Sequence, residues 1–276
     1  MYIDFHTHAF TDKIAERAIS KLETTAKTTP ETRGTIAQTV KKLDEWGVSS
    51  GVILPIATKP SQQASINDWA AAVQKEYLGK IYSFGTVHPD APDAMDELFR
   101  VKELGLCGIK IHPDYQGVMV DDEKMFPIYE KCAELRLPIV FHAGFDPLSP
   151  ELIHAPPEKS ANVAKLFPKL TIILAHLGGM LCWDDVEKFL VGKNVFFDTA
   201  MIGDTISDKQ AERIIKNHGS EKILLGSDCP WHDTPSEIAM LSRIGLSEEE
   251  KENIFHKNAE KLLKINKNNT KKCLQF

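Results

Sequence analysis

Tyr2-Ile3-Asp4-Phe5-His6-Thr7-His8 opens the chain with a short apolar run that ends in two histidines one residue apart. The run reads as a first β-strand over 2–6. An open doubly wound sheet usually carries a Gly-rich phosphate loop at this point, and here the position holds His-Thr-His. Working outward, apolar and β-branched runs of similar length recur at 51–54, 81–87, 108–111, 139–142, 171–176, 195–198 and 223–226, each bounded by Gly, Pro or Asp. Between them, 36–46, 66–78, 91–104, 123–135, 158–167, 183–190 and 208–218 space their apolar residues three or four apart. Further helices are expected at 235–241, 247–255 and 258–265. Asp208 reads as an N-cap, and Gly47, Gly105 and Gly219 as C-caps. Eight parallel strand–helix units in a chain of this length predict an α/β fold of the (β/α)8 TIM-barrel type, which typically takes about 250 residues. No linker interrupts it, so 1–265 is expected to form a single catalytic domain, with 266–276 a polar C-terminal tail.

Composition narrows the partners. The 276 residues carry a net charge of −6, with 42% hydrophobic and 26% charged residues. That is enough to bury a large core, and it excludes fibrous or disordered classes. No run approaches the ~18 apolar residues of a membrane-spanning helix. The mildly acidic balance gives no footprint for nucleic acid or an anionic membrane, so a small molecule is the expected partner. Five cysteines without a Cys-x-x-Cys pair argue against a disulfide framework and a closed zinc site. With no leader pattern at the N-terminus, a reducing, cytoplasmic location is expected, and Asn268-Asn269-Thr270 is then not a glycosylation site. A homo-oligomer is compatible with the sequence.

The histidines and acids fall at strand ends. His6 and His8 close the first strand, His142 the fifth and His176 the sixth, and Asp228 follows the eighth. In a closed parallel barrel these ends converge on one face. A lone histidine there is ordinarily a rim residue, and Asp228 alone would be a turn residue. The five together at one end of four strands point to a metal site.

The segments Ile3-Asp4-Phe5-His6-Thr7-His8, His142-Ala143-Gly144, Ala175-His176-Leu177-Gly178-Gly179 and Gly226-Ser227-Asp228-Cys229-Pro230 resemble the metal-site motifs of the amidohydrolase superfamily. The similarity is to its amidohydrolase-related branch, which also contains non-oxidative decarboxylases. Gly108-Ile109-Lys110-Ile111-His112-Pro113, Asp198-Thr199 and Asn258-Ala259-Glu260-Lys261-Leu262-Leu263 are similar to that branch as well, so the resemblance runs along nearly the whole chain. It implies that His6, His8, His142 and Asp228 bind a divalent metal. His176 is then a second-metal ligand or a partner of the metal-bound water. Zn2+ is favoured, Mn2+ and Fe2+ are compatible, and one ion is favoured over two.

Neutral imidazoles and a carboxylate leave an open position on such an ion, which lowers the pKa of bound water towards about 7. Asp228 can orient that water and take its proton, and His176 can polarise a substrate carbonyl. Lys110 lies on the fourth strand, where some branches of the superfamily carry a carboxylated lysine that bridges two metals. A charge-pairing or substrate-binding role is favoured for it here. His112, Arg33 and Trp231 complete the expected substrate-binding set. Tyr115, Phe145, His154, Met201 and His232 also follow strand ends, His218 and His256 are expected on the surface, and Cys229 is expected to pack behind Asp228. The leading function is hydrolysis of an amide, ester or lactone by metal-activated water. The alternative is a metal-dependent decarboxylase of a small carboxylate, and a barrel that binds metal or ligand without catalysis ranks third.

Overall fold

The computed structural model describes residues 1–265. The tail at 266–276, with the Asn268-Asn269-Thr270 sequence, lies outside the described residues. Parallel strands β1 (Ile3–Thr7), β2 (Ser50–Ile53), β3 (Ile81–Ser83, resuming as Gly85–Thr86), β4 (Ile109–Ile111), β5 (Ile139–Phe141), β6 (Ile172–Leu174), β7 (Phe196–Asp198) and β8 (Ile223–Leu224) pair in chain order. Hydrogen bonds from Phe5 N–H to Leu225 O (2.7 Å) and from Asp228 N–H to His6 O (2.8 Å) join β8 back to β1. The fold is a (β/α)8 barrel.

One cluster of buried residues draws Ile3 and Phe5 from β1, Val52 from β2, Phe84 from within β3, Val140 from β5, Ile173 from β6 and Leu224 from β8. Only the inside of a closed barrel brings so many strands to one cluster, and each such side chain contributes about 1.5–3 kcal/mol through the hydrophobic effect. A larger cluster packs the helices on the outer face, for example Leu98, Ile128, Val163, Val186 and Ile214.

The expected helices are present with boundary shifts of a few residues, and five readings are corrected. The third strand is interrupted at Phe84, whose side chain turns into the barrel cluster. Helix Asp12–Ala26, in a stretch to which the sequence assigned no element, forms with only Ala15 and Ile19 buried, so its apolar signal was thin. Helix Asp208–His218 is capped by Ser207, whose hydroxyl accepts from Gln210 N–H, and Asp208 is its first residue. His218 is buried: its Nε2–H donates to Val195 O at 2.9 Å and its ring stacks on Phe197 at 4.0 Å. His256 is half-buried against Glu260.

Two backbone features shape the site end of the barrel. The register of β1 against β2 shifts between Asp4 and Thr7, which inserts an extra residue beside His6. Such bulges re-aim side chains. His176 (φ 58°), Leu177 (φ 52°) and Asp228 (φ 73°) occupy the left-handed region, costing of order 1 kcal/mol or more each and turning the chain sharply just past β6 and β8.

Candidate metal centre

His6 Nε2, His8 Nε2 and Asp228 Oδ1 form an equilateral triangle with 3.1 Å sides. His6 reaches it from β1, His8 from just beyond, and Asp228 from the left-handed turn after β8. Close approach of β8 depends on Gly226, where a Cβ would stand 2.8 Å from His6 Cβ. The protons of the two imidazoles are accounted for elsewhere. His6 Nδ1–H donates to Asp198 Oδ2 at 2.7 Å, and His8 Nδ1–H donates to Leu54 O at 2.8 Å. Neutral imidazole carries one N–H, so both Nε2 atoms turn bare lone pairs towards each other and towards a carboxylate oxygen. Three lone pairs at this spacing repel unless a cation lies among them. Metal–ligand bonds of ~2.1 Å give coordination polyhedra with edges of roughly 3.0–3.4 Å, so the triangle fits one face of a divalent metal site.

The electrostatics agree. Burial and Lys110 push the His6 imidazole down, but Asp198 and Asp228 outweigh them and hold it above its ordinary value, so this spot calls for positive charge. Burial pushes His8, His142 and His176 down, towards the neutral form that ligates metals. Burial alone would raise the Asp228 carboxyl, and positive charge on His6 and His8 instead holds it well below the usual carboxylate range, the part a bound cation takes when both imidazoles are neutral. Lys110, 1% exposed on β4, places its ammonium 3.5 Å from His6 Nε2. Burial lowers its pKa to about 8 against the pull of Asp198, Asp228 and Asp146.

His142 and His176 stand beside the triangle. His176 Nδ1–H donates to Ala200 O at 2.8 Å, and its Nε2 faces His142 Nδ1 at 3.1 Å, a second pair of imidazole nitrogens at ligand spacing. The rings of His6 and His176 have centroids 5.5 Å apart. His142 also stacks on His112 and, with His112 and Asp146, forms a second group whose ligand atoms lie within 4.8 Å of one another.

The expected substrate residues divide. Lys110 and His112 are buried in the cluster, and Trp231 is half-buried three residues beyond Asp228. Arg33 is committed elsewhere, bonded to Glu16 at 2.8 Å and Glu23 at 2.9 Å of helix Asp12–Ala26. That helix lies in a stretch to which the sequence assigned no element, and its two carboxylates hold the guanidinium that was expected to bind substrate. His154 bonds Asp114 at 2.9 Å, and His232 sits between Asp204 and Glu237. Cys229 is buried. Two residues that carry weight here had no assigned role in the sequence. Asp198 orients His6, and its sequence signals were its place at the end of a strand and the resemblance of Asp198-Thr199 to the family branch. Asp146 faces His112 and His142 with no signal beyond its nearness to His142.

The sequence pattern of the amidohydrolase family matches residues 3–265. The chain belongs to the amidohydrolase family. One curated relative, a 2-amino-3-carboxymuconate-6-semialdehyde decarboxylase from Dictyostelium discoideum, is 26% identical over 240 residues, covering 74% of this chain. The match spans 66% of that relative's length, just under two thirds. Among solved structures, an uncharacterized TIM-barrel protein from Bordetella bronchiseptica superposes with a TM-score of 0.75 at 18% identity, over 95% of this chain and 98% of that one. A dihydroxybenzoic acid decarboxylase from a Polaromonas species, solved with manganese and 2-nitroresorcinol, gives 0.71 at 17% identity over 100% and 99%. At such identities the solved structures speak for the shared barrel. None of the helices among the described residues is long and apolar enough to cross a membrane.

Proposed function

We propose that this amidohydrolase-family protein is a metal-dependent decarboxylase, a carbon–carbon lyase acting on a small carboxylate. The observation that carries the reading is Lys110. Among the described residues it is the one buried Lys or Arg side chain, and it lies within the donor cluster. A substrate carboxylate needs a cation to replace its hydration, and the carbanion left by CO2 needs a proton. An ammonium whose pKa burial has already lowered to about 8 gives up its proton at small cost, and a bound carboxylate favours its charged form against the repulsion of a metal, so one side chain serves both needs. The decarboxylase relative points the same way.

His6, His8 and Asp228 would hold the metal, with His142 and His176 alongside, and a divalent ion there supplies a Lewis acid that anchors the substrate and draws electron density from the breaking bond. Among the described residues, only His6 Nε2, His8 Nε2 and Asp228 Oδ1 form a triangle that fits one face of a metal site, and the parallel rings of His112 and His142 give no second meeting point for lone pairs. One ion is therefore proposed over two, and Zn2+ over Mn2+ or Fe2+ because imidazole nitrogen dominates the donor set. Asp198 and Leu54 O keep the His6 and His8 lone pairs aimed, and the near-complete burial of His6, Lys110 and His176 keeps water from the carbanion site.

Hydrolysis is the second reading. Asp228 favours it, because its carboxylate is held ionised and only Oδ1 belongs to the ligand triangle, leaving Oδ2 to accept a proton from water.

The two readings separate by isotope. Metal-loaded protein is offered small aromatic and enoic carboxylates in D2O, and esters, lactones and amides in H2(18)O. CO2 release with one deuterium at the vacated carbon, abolished in Lys110→Met, is expected. 18O in a product acid, with no CO2 from any carboxylate, would replace the lyase with the hydrolase.

A further inference from the structure

Four imidazoles offer nitrogens at ligand spacing at this end of the barrel, and one is less firmly held than the others. His6, His8 and His176 each fix one nitrogen on an oxygen acceptor at 2.7 to 2.8 Å. His142 Nε2 is buried without a hydrogen-bond partner, and the carboxylate that faces it, Asp146 Oδ2, is 3.8 Å away. Asp146 is itself anchored, since its Oδ1 accepts from Leu148 N–H at 2.8 Å. That turn aims Oδ2 at two imidazole edges, His142 Nε2 and His112 Nε2, the latter at 3.5 Å. The rings of His112 and His142 lie 5° from parallel with centroids 4.2 Å apart, and Tyr115 stacks on the other face of His112 at 3.6 Å and 15°.

A second cation between His112, His142 and Asp146 is the first thing this group suggests, because the three ligand atoms lie within 4.8 Å of one another. The ring geometry opposes it. An imidazole lone pair lies in the ring plane, so the lone pairs of two parallel rings run side by side and meet at no common point. The same geometry suits a holder. Stacking fixes the plane of His142, and a carboxylate at its Nε2 edge favours the tautomer with the proton there. His142 Nδ1 is then bare, facing the bare Nε2 of His176 at the 3.1 Å spacing that His6 and His8 also show.

We propose that Asp146 and His112 are positioning residues for His142: Asp146 sets its tautomer and His112 holds its ring plane, so that Nδ1 is presented to the metal centre. This rests on the metal-centre reading above. It extends that reading to two residues outside the ligand triangle. Outer partners of ligating histidines change metal affinity by about 10–100-fold when removed.

The test measures Zn2+ affinity by chelator competition, and the visible spectrum of the Co2+-loaded protein, for wild type, Asp146→Asn, Asp146→Ala, His112→Phe and His112→Ala. Asp146→Ala and His112→Ala are expected to bind Zn2+ about 10–100-fold more weakly, with shifted Co2+ bands. His112→Phe keeps a flat ring on His142 and is expected within about threefold of wild type. Asp146→Asn keeps an acceptor oxygen and should fall between wild type and Asp146→Ala. Melting of the metal-free proteins reports folding, and should His112→Ala fail to fold, the Asp146 pair and His112→Phe decide the matter. Wild-type affinity and an unchanged Co2+ spectrum in Asp146→Ala would overturn the proposal. So would a wild type holding two Zn2+ of which His112→Phe loses one, since His112 would then be a ligand. A wild type that takes up no divalent metal removes the metal-centre reading, and the proposal falls with it.

Discussion

Asp198→Asn changes one atom of a side chain that has no direct place in the metal triangle, and it should nevertheless dismantle it. Asp198 Oδ1 accepts two backbone N–H groups, from His176 at 3.0 Å and Ala200 at 3.1 Å, while Oδ2 accepts the His6 Nδ1 proton at 2.7 Å. An asparagine must choose which site receives its oxygen. Turning its NH2 towards the two backbone donors leaves both unsatisfied in a fully buried place, at about 1–3 kcal/mol each. Keeping the oxygen there puts the NH2 against His6 Nδ1, which must then accept and move the ring proton to Nε2. The second choice costs less, and it drives an N–H into the triangle, 3.1 Å from His8 Nε2 and Asp228 Oδ1. His6 ceases to be a ligand. Loss of an orienting partner alone costs about 10–100-fold in metal affinity, and blocking the lone pair should bring the loss to the upper end of that range or beyond. The assay is Zn2+ competition against a chromophoric chelator, with thermal melting of the metal-free protein beside it. At least about 100-fold weaker binding is expected, with a metal-free melting temperature within a few degrees of wild type. Binding within about threefold of wild type would refute the tautomer argument.

Other perturbations follow from the same geometry. Lys110→Met should keep the metal and lose CO2 production by about 100-fold or more, the usual worth of a positioned general acid, and a decarboxylation rate near wild type would remove Lys110 from the chemistry. Gly226→Ala places a Cβ 2.8 Å from His6 Cβ. Overpacking of about 1–3 kcal/mol should lower the melting temperature by several degrees and weaken metal binding, and an unchanged melting curve would show that β8 can yield. Away from the metal, Glu237 raises the His232 pKa to about 9, and burial raises that of Glu237 to about 7. Both folded values lie above the unfolded ones, so the folded chain binds protons more tightly and stability falls as pH rises through about 7 and again through about 9. Melting temperature should decline between pH 6 and pH 9.5 and the decline should flatten in Glu237→Gln, whereas the same slope in that variant would exclude the pair as its source.

What could be read in the sequence was what repeats locally. A run such as Ile172–Leu174 buries all three of its side chains, so apolar, β-branched composition alone marks it as a central strand. The convergence of His6, His8 and Asp228 follows from strand order, because strand ends in a parallel barrel share a face. What escaped was set by contacts across the fold. The proton on His6 is placed by Asp198, 192 residues away, and the approach of Gly226 to His6 depends on barrel closure. The β1 bulge arises from its register against β2. Arg33 looked free because helix Asp12–Ala26 has few buried residues to betray it, and that helix supplies the Glu16 and Glu23 carboxylates that bind it. His218 ends a polar-looking helix, and only the position of Phe197 shows that it is buried. Asp146 carries no motif, and its relation to His142 depends on the turn that Leu148 N–H closes.

The most direct test of the metal centre is divalent metal content per chain, measured on protein purified without chelator, for wild type and Asp228→Ala together. Close to one equivalent is expected in wild type and its loss in Asp228→Ala, with both proteins folded. No metal in wild type under any supplementation, or a full equivalent retained without Asp228, would contradict it.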